Sequence, residues 1–330
     1  MKATKYSIIT LFSLLALFLA STSCTDELGT ATGRTTDNQT PRFVVSTNSP
    51  QTRVSYGNIT QSTFEEGDVL GAFVLGQGGN IVINSSTNIT YSNIQYRVVG
   101  NASDGTQTLE PVLSQDALPY GDGTYRYIFY YPFREGTAYN NVTHTVQTDQ
   151  TTPHLYELSD LLWDVATVTP GTDNAPTVEV AMDHAMANIV LEVPQEMMRT
   201  DNEGNVSGNA IMHNVRRIIS NIQLNTEEPE YGSVTLSSNI NMQHFGQRTL
   251  DGVAMEIYRL VLPPQTFRNG WEMFTIETPD GDKTYTAAFS EGNLKFASKT
   301  YYIFTVTESG LKFRAMIKDL TNEGNYYYEY

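Results

Sequence analysis

Short runs of alternating or continuous apolar residues, separated by clusters of glycine, asparagine and aspartate, recur along the chain after residue 40. The first is the alternating run Arg42–Thr47, which a polar loop follows. An apolar run rich in β-forming residues covers 68–75, and an aromatic run covers 125–132. Short runs bounded by turn residues, with no sustained helical period, predict an all-β protein built from β-sandwiches.

The second half of the chain repeats this pattern. Two β-rich runs near its end, 301–307 and 311–317, lie on either side of Glu308-Ser309-Gly310 and predict a hairpin. In the second of these runs apolar residues share one face and basic residues the other, as expected of a half-buried strand. Further strands are predicted at 178–182, 187–193 and 258–262.

The segment 169–176 is the best candidate for a linker between two sandwiches, because it has two prolines, one glycine and no large apolar side chain. The length agrees, since 330 residues favour about two domains. We predict an N-terminal β-sandwich over 54–175 and a C-terminal β-sandwich with a tail over 176–330. The preceding residues divide into a signal peptide, 1–23, and a flexible tether with a removable first strand, 24–53.

The N-terminus has the form of a secretory signal. Lys2 and Lys5 precede an apolar stretch over 8–20, which ends in small residues before Cys24. A stretch of this length is too short to span a bilayer comfortably. Because Cys24 is the only cysteine and follows the small residues, we predict a lipoprotein signal with Cys24 as the lipidated first residue of the mature chain. Ser21 departs from the aliphatic residue usual there, and an ordinary cleaved signal is the alternative.

Charge and cysteine content argue against several classes of protein. Lys and Arg number 20 against 36 Asp and Glu, which gives a net charge of −16. A nucleic-acid-binding protein or a polybasic membrane-surface protein needs clustered positive charge, which this balance disfavours. One cysteine excludes an internal disulfide framework, a structural zinc cluster and an iron–sulfur centre. Contact with the membrane is therefore expected only through lipid.

No motif of catalysis or cofactor binding is recognisable. The five histidines show no metal-ligand spacing, and the sequence has no nucleophile elbow, Walker motif or dinucleotide fingerprint. Asp183 and His184 are adjacent, and neighbours in a strand point to opposite faces. The acidic turn Glu65-Glu66-Gly67-Asp68 is interpreted as a solvated turn rather than a calcium site. We predict no enzyme, no cofactor and no metal, although carboxylates brought together only by folding would escape this search.

The aromatic residues offer a second interpretation, which is binding of glycans by stacked rings. The chain has 20 Tyr and 2 Trp, and most are expected to pack in sandwich cores. The final residues Tyr326-Tyr327-Tyr328-Glu329-Tyr330 differ, because the predicted sandwich is complete before them. They form a β-capable segment without a sandwich of its own to join, and such a segment suits pairing with another edge.

Taken in order, several short motifs resemble the Bacteroidetes fimbrillins, the family of type V pilins and Mfa-like lipoproteins. The resemblance covers nearly all of the mature sequence. It consists of a Thr-Arg pair, an acidic turn entering an apolar strand, an Asp-Leu-Leu-Trp element, a His-initiated strand, a Pro-Gln-Thr loop and a Lys-x-Tyr strand. In this sequence they are Thr52-Arg53-Val54, 64–73, Asp160-Leu161-Leu162-Trp163, 184–189, 262–266 and Lys299-Thr300-Tyr301-Tyr302.

The resemblance implies two transthyretin-like β-sandwiches, export as an outer-membrane lipoprotein and assembly by donor-strand exchange. In the family, a trypsin-like protease cuts after an Arg or Lys near the N-terminus and removes the first strand. A C-terminal strand of a neighbouring subunit then fills the open groove. The physical logic suits this chain, since an exposed polar loop is readily cleaved and an added strand restores lost pairing.

Carried over to this chain, the resemblance gives candidate residues for each step. The expected cut lies between Arg53 and Val54, with Arg42 and Arg34 as alternatives. The displaced strand is the first alternating run, and the donor is the tail after the last hairpin, from about Ile317 onward. The residues expected to make the contacts are Phe43, Val44 and Val45 in the displaced strand and Ile317, Leu320, Tyr326, Tyr328 and Tyr330 in the donor.

We predict a fimbrial subunit, located in the outer membrane and at the cell surface, that works by polymerisation and adhesion. Other fimbrial subunits are its expected partners, with host or bacterial surface ligands as further ones and no nucleic acid. An uncleaved anchor or a tip subunit of the same family is one alternative. A surface glycan-binding lipoprotein is the other, for which only Trp163 and Trp271 are available as broad stacking surfaces.

Overall fold

β-strands form almost all of the regular structure, as the alternating pattern predicts. The computed structural model describes residues 40–47, 63–100, 107–121, 123–169, 171, 175–226, 230–290, 292–318 and 327–329. Within these ranges one α-helix occurs, α1 (Pro153–Ser159), together with the 3-10 turns Ser114–Asp116 and Gln195–Met197. The prediction of an all-β fold is confirmed.

The strands agree with the predicted runs to within a few residues. Up to residue 184 they are β1 (Arg42–Thr47), β2 (Val69–Leu75), β3 (Ile83–Asn84), β4 (Ile89–Thr90), β5 (Ile94–Val99), β6 (Gln107–Pro111), β7 (Tyr125–Tyr131), β8 (Val142–Thr145), β9 (Leu162–Val168) and β10 (Thr177–His184). The others are β11 (Ala187–Pro194), β12 (Ala210–Ile222), β13 (Val234–Asn241), β14 (Gln243–Leu250), β15 (Val253–Leu262), β16 (Gln265–Phe267), β17 (Glu272–Thr278), β18 (Gly281–Thr286), β19 (Leu294–Phe296), β20 (Thr300–Thr307), β21 (Gly310–Lys318) and β22 (Tyr327–Glu329).

Most strands before residue 185 join one sheet, which closes into a barrel. Its order is β1-β10-β9-β7-β2-β5-β6, so that these strands surround a single interior. Alternate side chains fill the interior, because successive residues of a strand point to opposite faces. On β7, for example, Tyr127, Phe129 and Tyr131 belong to the cluster inside the barrel.

Two strands cross the predicted division between residues 175 and 176. β10 follows the predicted linker, yet it pairs with β1 and β9 in the barrel. β8 precedes the linker, yet it pairs with β12 of the second half, with His144 opposite Ile219. The division of the strands between the barrel and the second half therefore does not follow the predicted domain boundary. Both pairings join segments that are far apart in the sequence, and local composition does not report such contacts.

The second half forms a sandwich of two sheets. One sheet has the order β14-β15-β11-β20-β21-β22, and the other has the order β13-β12-β17-β18 with β8 beside β12. Ile189 of the first sheet and Met212 of the second belong to one buried cluster. Phe274 and Phe304 meet edge to face across this core, with ring centroids 5.5 Å apart. The short strands β16 and β19 pair with each other outside these sheets.

The barrel and the sandwich share a core. Phe73 of β2, Tyr130 of β7 and Trp163 of β9 belong to the cluster that fills the sandwich, whereas their neighbours along each strand fill the barrel. Both faces of β2 and β7 are therefore buried along most of their length, which accounts for their nearly continuous apolar sequences, whereas β9 is buried on both faces only at its start. The predicted halves are thus joined by side-chain packing as well as by exchanged strands.

The α-helix attaches the loop after β8 to the sandwich. It starts at a cap, because Thr152 Oγ1 accepts a hydrogen bond from the Leu155 amide at 3.3 Å and Pro153 occupies the first turn. The hydroxyl of Tyr156 donates to Asn188 Oδ1 of β11 at 2.7 Å. Among the described residues, no helix is long and apolar enough to cross a bilayer.

Gly71 of β2 leaves room for a ring of the neighbouring strand. It lies opposite Tyr130, and a Cβ at residue 71 would overlap that ring. The ring is held in place, because its hydroxyl donates to Asn93 Oδ1 at 2.6 Å and accepts from the Arg134 amide at 3.1 Å. We expect Gly71→Ala to lower the free energy of unfolding, measured by urea titration, by about 2 to 3 kcal/mol.

Gly76→Ala is the matched control, since the nearest atom to its added Cβ is Val82 Cγ2 at 3.7 Å, an ordinary contact. We expect this change to alter the free energy of unfolding by less than about 1 kcal/mol. An equal loss in both variants would contradict the steric role of Gly71.

Candidate functional site

β1 closes the barrel by pairing on both of its sides. It runs parallel to β10 over six residue pairs, from Arg42 opposite Thr177 to Thr47 opposite Met182. It runs antiparallel to β6 over three residue pairs. The backbone donors and acceptors of β6 and β10 that face β1 have this strand as their partner. A short N-terminal segment therefore supplies the seam of the barrel.

The side chains of β1 anchor it in the barrel interior. Phe43 is 1% exposed, and its ring meets those of Tyr96, Tyr127 and Phe129 edge to face, with centroids 5.9, 5.2 and 5.0 Å apart. Val45 is buried in the same cluster. Burial of one such side chain stabilises a fold by about 1.5 to 3 kcal/mol, so these two residues add an apolar anchor to the backbone pairing of the strand.

On its other side, β10 is held weakly. It forms ladder pairs with β9 at only two positions, both at its C-terminal end. Farther along, the carboxylate of Asp164 in β9 accepts a hydrogen bond from the Ala181 amide of β10 at 3.0 Å. A side chain thus replaces the backbone ladder there. Loss of β1 would expose an edge of β6 and loosen β10 at the same time.

Burial shifts the pKa of the Asp164 side chain. Desolvation raises the pKa of this carboxyl from 3.8 to about 6, although hydrogen bonds from the amides of Val165 and Ala181 act to lower it. The charged form is therefore only half populated near pH 6. The contact between β9 and β10 is consequently a pH-sensitive part of the barrel.

Carboxyl groups surround the C-terminal end of β1. A cavity of about 20 Å³ lies there, and Thr47, Tyr131 and Asp160 contribute to its lining. Asp68 and Glu157 line it as well, and burial raises the pKa of both. The Tyr131 hydroxyl donates to Asp68 Oδ1 at 3.2 Å, which connects the acidic turn before β2 to the barrel. The acidic turn before β2 therefore lies close to the last described residue of β1, Thr47.

Three of the sequence motifs meet where the barrel joins the sandwich. Asp160 Oδ2 and His184 Nδ1 form a buried hydrogen bond of 2.7 Å. Lys299 Nζ lies 2.7 Å from Asp183 Oδ2 and 5.1 Å from the centre of the Trp163 ring. These contacts fix the bend between β10 and β11, and so they set the position of β10 beside β1.

Other histidines have structural partners. His144 Nε2 lies 2.8 Å from the Ser159 carbonyl, and burial lowers the pKa of His144 to about 3. His244 Nε2 lies 2.7 Å from Glu256 Oε2. In the described ranges, no group of three or more His, Cys, Asp or Glu side chains is arranged to hold a metal ion.

The C-terminal tail returns to its own sheet. β22 pairs antiparallel with β21 at three positions, from Ala315 opposite Glu329 to Ile317 opposite Tyr327. The expectation that the tail has no sandwich of its own to join is therefore wrong. Ile317 is buried within β21, so it is a fixed residue of the sandwich and not the start of a free donor, whereas Tyr328 belongs to the edge strand.

The sequence model of a family described as fimbrillin-like matches residues 52–319. This chain belongs to the fimbrillin-like family. The match spans well over half of the sequence and confirms the resemblance carried by the short motifs. A comparison with curated proteins gave no significant match.

Two solved structures share the fold of this fimbrillin-like chain. It is 18% identical to a proposed cell adhesion protein from Bacteroides ovatus, with a TM-score of 0.54 over 89% of this chain and 96% of that one. It is 16% identical to a proposed cell adhesion protein from Bacteroides uniformis, with a TM-score of 0.53 over 89% and 98%. The fimbrial anchor protein Mfa2 from Porphyromonas gingivalis is 10% identical, with a TM-score of 0.33 over 84% and 96%. At these identities the first two support the fold alone.

The structure describes part of the predicted site of this fimbrillin-like protein. Phe43 and Val45 point into the barrel, and Val44 lies half-buried on the other face of β1. Arg42 is the exposed first residue of that strand. The predicted site residues outside the described ranges are Cys24, Arg34, Arg53, Val54, Leu320, Tyr326 and Tyr330.

The strands on either side of β1 in this fimbrillin-like chain are not evident as such in its sequence. β6 borders β1, and Gln107 at its start is buried with its side-chain amide donating to the Phe64 carbonyl at 2.8 Å. Neither this strand nor the role of β10 was predicted. The signal for Asp164 was present, because it is a single acid inside the apolar run Leu162–Val168, and an acid there needs a partner.

We expect Phe43→Ala to destabilise the uncleaved fimbrillin-like chain by about 3 to 4 kcal/mol, because it removes a buried ring and leaves a cavity among three aromatic side chains. Val44→Ala is the control on the same strand and should cost about 1 kcal/mol or less, since this side chain is only half-buried. Thermal or urea unfolding measures both. Similar losses would mean that β1 is not anchored through its inward face.

Asp164→Asn should flatten the pH dependence of stability. Since the folded pKa of about 6 exceeds the ordinary 3.8, Asp164 stabilises the fold fully below about pH 4 and loses this contribution as the pH rises through 6. Allowing for partial exposure, the difference amounts to about 2 kcal/mol. The free energy of unfolding at pH 4 minus that at pH 7, measured by urea titration, should therefore be about 2 kcal/mol smaller in the variant than in the wild type.

Asp149→Asn is the control for this experiment, because hydrogen bonds from Thr151 lower the pKa of Asp149. Its contribution changes mainly below its ordinary pKa of 3.8, so its removal should leave the difference between pH 4 and pH 7 almost unchanged. A profile of Asp164→Asn parallel to that of the wild type would contradict the assignment.

Proposed function

We propose that this protein is a structural subunit of a fimbrium that is exported to the outer membrane as a lipoprotein through Cys24. Cleavage between Arg53 and Val54 removes the lipid together with β1. The opened barrel then receives an extended segment from a neighbouring subunit. Repetition of this step builds a fimbrium that serves adhesion, with other subunits as the main partners and without catalysis of a reaction.

The position of β1 is the observation that supports this proposal. An N-terminal strand lies between β6 and β10 and pairs with both, so that its loss converts a closed sheet into a groove with two unpaired walls. The pockets of Phe43 and Val45 would open on the floor of that groove. An extended donor with alternating side chains can restore the ladders and fill the pockets together.

The location of β1 distinguishes the three candidate arginines. A cut after Arg34 releases the lipid but leaves the whole of β1 attached to the body. A cut after Arg42 leaves Phe43 and Val45 attached as well. Arg53 is the candidate that follows β1 in the sequence, so a cut there frees the strand entirely. Strand exchange therefore requires Arg53 and not the other two.

The donor is the tail of a neighbouring subunit from Leu320 to Tyr330, beginning after the buried part of β21. Within its own subunit this tail is held by the short ladder of β22 at the edge of the sheet. A strand with a single neighbour is released more readily than one that is paired on both sides. Tyr326, Tyr328 and Tyr330 alternate and are the residues expected to enter the groove.

Glycan binding through stacked tryptophans finds less support. Trp163 is 1% exposed and lies in the shared core, so it is unavailable to a sugar. Trp271 is 38% exposed, and the guanidinium of Arg268 lies 5.1 Å from its ring centre. A pair of coplanar exposed tryptophans is therefore not formed. An uncleaved anchor subunit would instead retain β1 as the structure has it.

Limited proteolysis tests the proposed function. The chain from Thr25 onward is treated with trypsin at a limiting dose, the new N-terminus is sequenced, and the product is run unheated on an SDS gel. We expect one early cut with Val54 as the new N-terminus, followed by a ladder of SDS-resistant multimers. Arg53→Ala should abolish both results, whereas Arg53→Lys should retain them, because trypsin also cuts after lysine.

Two further variants distinguish the cleavage step from the assembly step. Arg42→Ala should behave as the wild type, since cleavage at that position does not release β1. A chain ending at Lys318 should be cut but form no ladder, because it lacks the donor. A wild-type chain that is cut after Arg53 and stays monomeric would refute assembly by strand exchange, and one that resists cutting there would point to an anchor.

A further inference from the structure

An open groove lies along one side of the C-terminal sandwich. Its volume is about 860 Å³, and it runs between β18 of one sheet and the hairpin of β20 and β21 in the other. Phe289, Leu294, Leu311 and Phe313 line it, and each packs against the main core while remaining only partly buried. The core of the sandwich therefore reaches the surface between the edges of its two sheets.

Both walls of this groove are strands that can accept a further neighbour. β18 pairs with β17 and is the last strand of its sheet. β21 pairs with β20 along its length, but its ladder with β22 begins only at Ala315. Among the described residues, the stretch from Gly310 to Lys312 has no second ladder. Such an edge is a template for an added strand.

A buried hydroxyl and two lysines give the groove its polar character. Tyr285 of β18 lines the groove and is 4% exposed, and its hydroxyl has no hydrogen-bond partner within the described ranges. Buried polar groups normally have a partner, so an acceptor is expected to arrive with an occupant. Lys283 lies 5.2 Å from the Tyr285 ring centre, and Lys312 lines the groove together with Glu308.

We propose that this groove binds the C-terminal segment 319–330 of a second copy of this chain as an added β-strand beside β21. The occupant follows from a pairing that is already present, since Tyr327–Glu329 of the same chain forms an antiparallel ladder with β21. The tyrosines of the segment match the apolar floor. Its acidic residues, Asp319, Glu323 and Glu329, match the two lysines.

This contact differs from the filling of the barrel. It uses the side of the sandwich, and it leaves β1 in place, so it requires no cleavage. A tail that leaves its own subunit can therefore associate with another subunit before any barrel is opened. The groove gives intact chains a weak docking site for one another.

Peptide binding to the uncleaved chain tests this site. A fluorescently labelled peptide of residues 319–330 is titrated into the chain from Thr25 onward, and its anisotropy is followed. We expect saturable binding, weakened about fivefold by the double substitution Lys283→Glu and Lys312→Glu, as two exposed ion pairs would predict. Lys295→Glu changes an exposed lysine outside the groove and should leave the affinity unchanged.

A charge exchange makes the test specific. A peptide carrying Glu323→Lys and Glu329→Lys should bind the double variant more tightly than the original peptide does. Absence of saturable binding would overturn the proposal. Equal binding to the wild type and the double variant would also overturn it, because the peptide would then occupy another site, such as the seam at β1. The result does not depend on the trypsin experiment, since β1 is never removed.

Discussion

Pairing of β1 with β6 on one side and β10 on the other turns an open sheet into a closed barrel. Without it, the interior side chains around Phe43 would face water, and two rows of backbone groups would lose their partners. β10 would lose the largest share of its pairing, because β9 forms only two ladder pairs with it and one hydrogen bond through the side chain of Asp164. The strand that the proposed maturation removes is thus the one that completes the sheet.

The core that the barrel shares with the sandwich would limit how far the structure changes if the barrel opened. Strands β2, β7 and β9 bury one face in the barrel and the other in the cluster that fills the sandwich. Phe73, Tyr130 and Trp163 would therefore keep the contacts of this cluster if the barrel interior were exposed. The contacts of Lys299 and His184 hold the chain where β10 turns into β11. In the proposed maturation, these features would allow the body to persist as a groove instead of unfolding.

Alternation and turn residues were sufficient to predict the class of fold and several strands, including β1, whose predicted and observed bounds are both Arg42–Thr47. Long-range pairing could not be predicted, since nothing local in 177–184 shows that this strand lies parallel to β1. Ile317 shows the same limit, because its place in β21 depends on a partner strand. The partner of Asp164 could not be predicted, because the amide of Ala181 becomes its neighbour only on folding.

The difference between the two pairings would give the proposed strand exchange a direction. Within its own subunit β22 forms three residue pairs with one neighbour. In the groove left by β1, a donor taken from the whole tail, 320–330, would have up to six pairs available along β10 and three along β6. It would also cover the pockets of Phe43 and Val45, each worth about 1.5 to 3 kcal/mol of apolar burial. In the proposed maturation, exchange would therefore be favourable once β1 is gone, and cleavage, which cannot be reversed by refolding, would make it a one-way step.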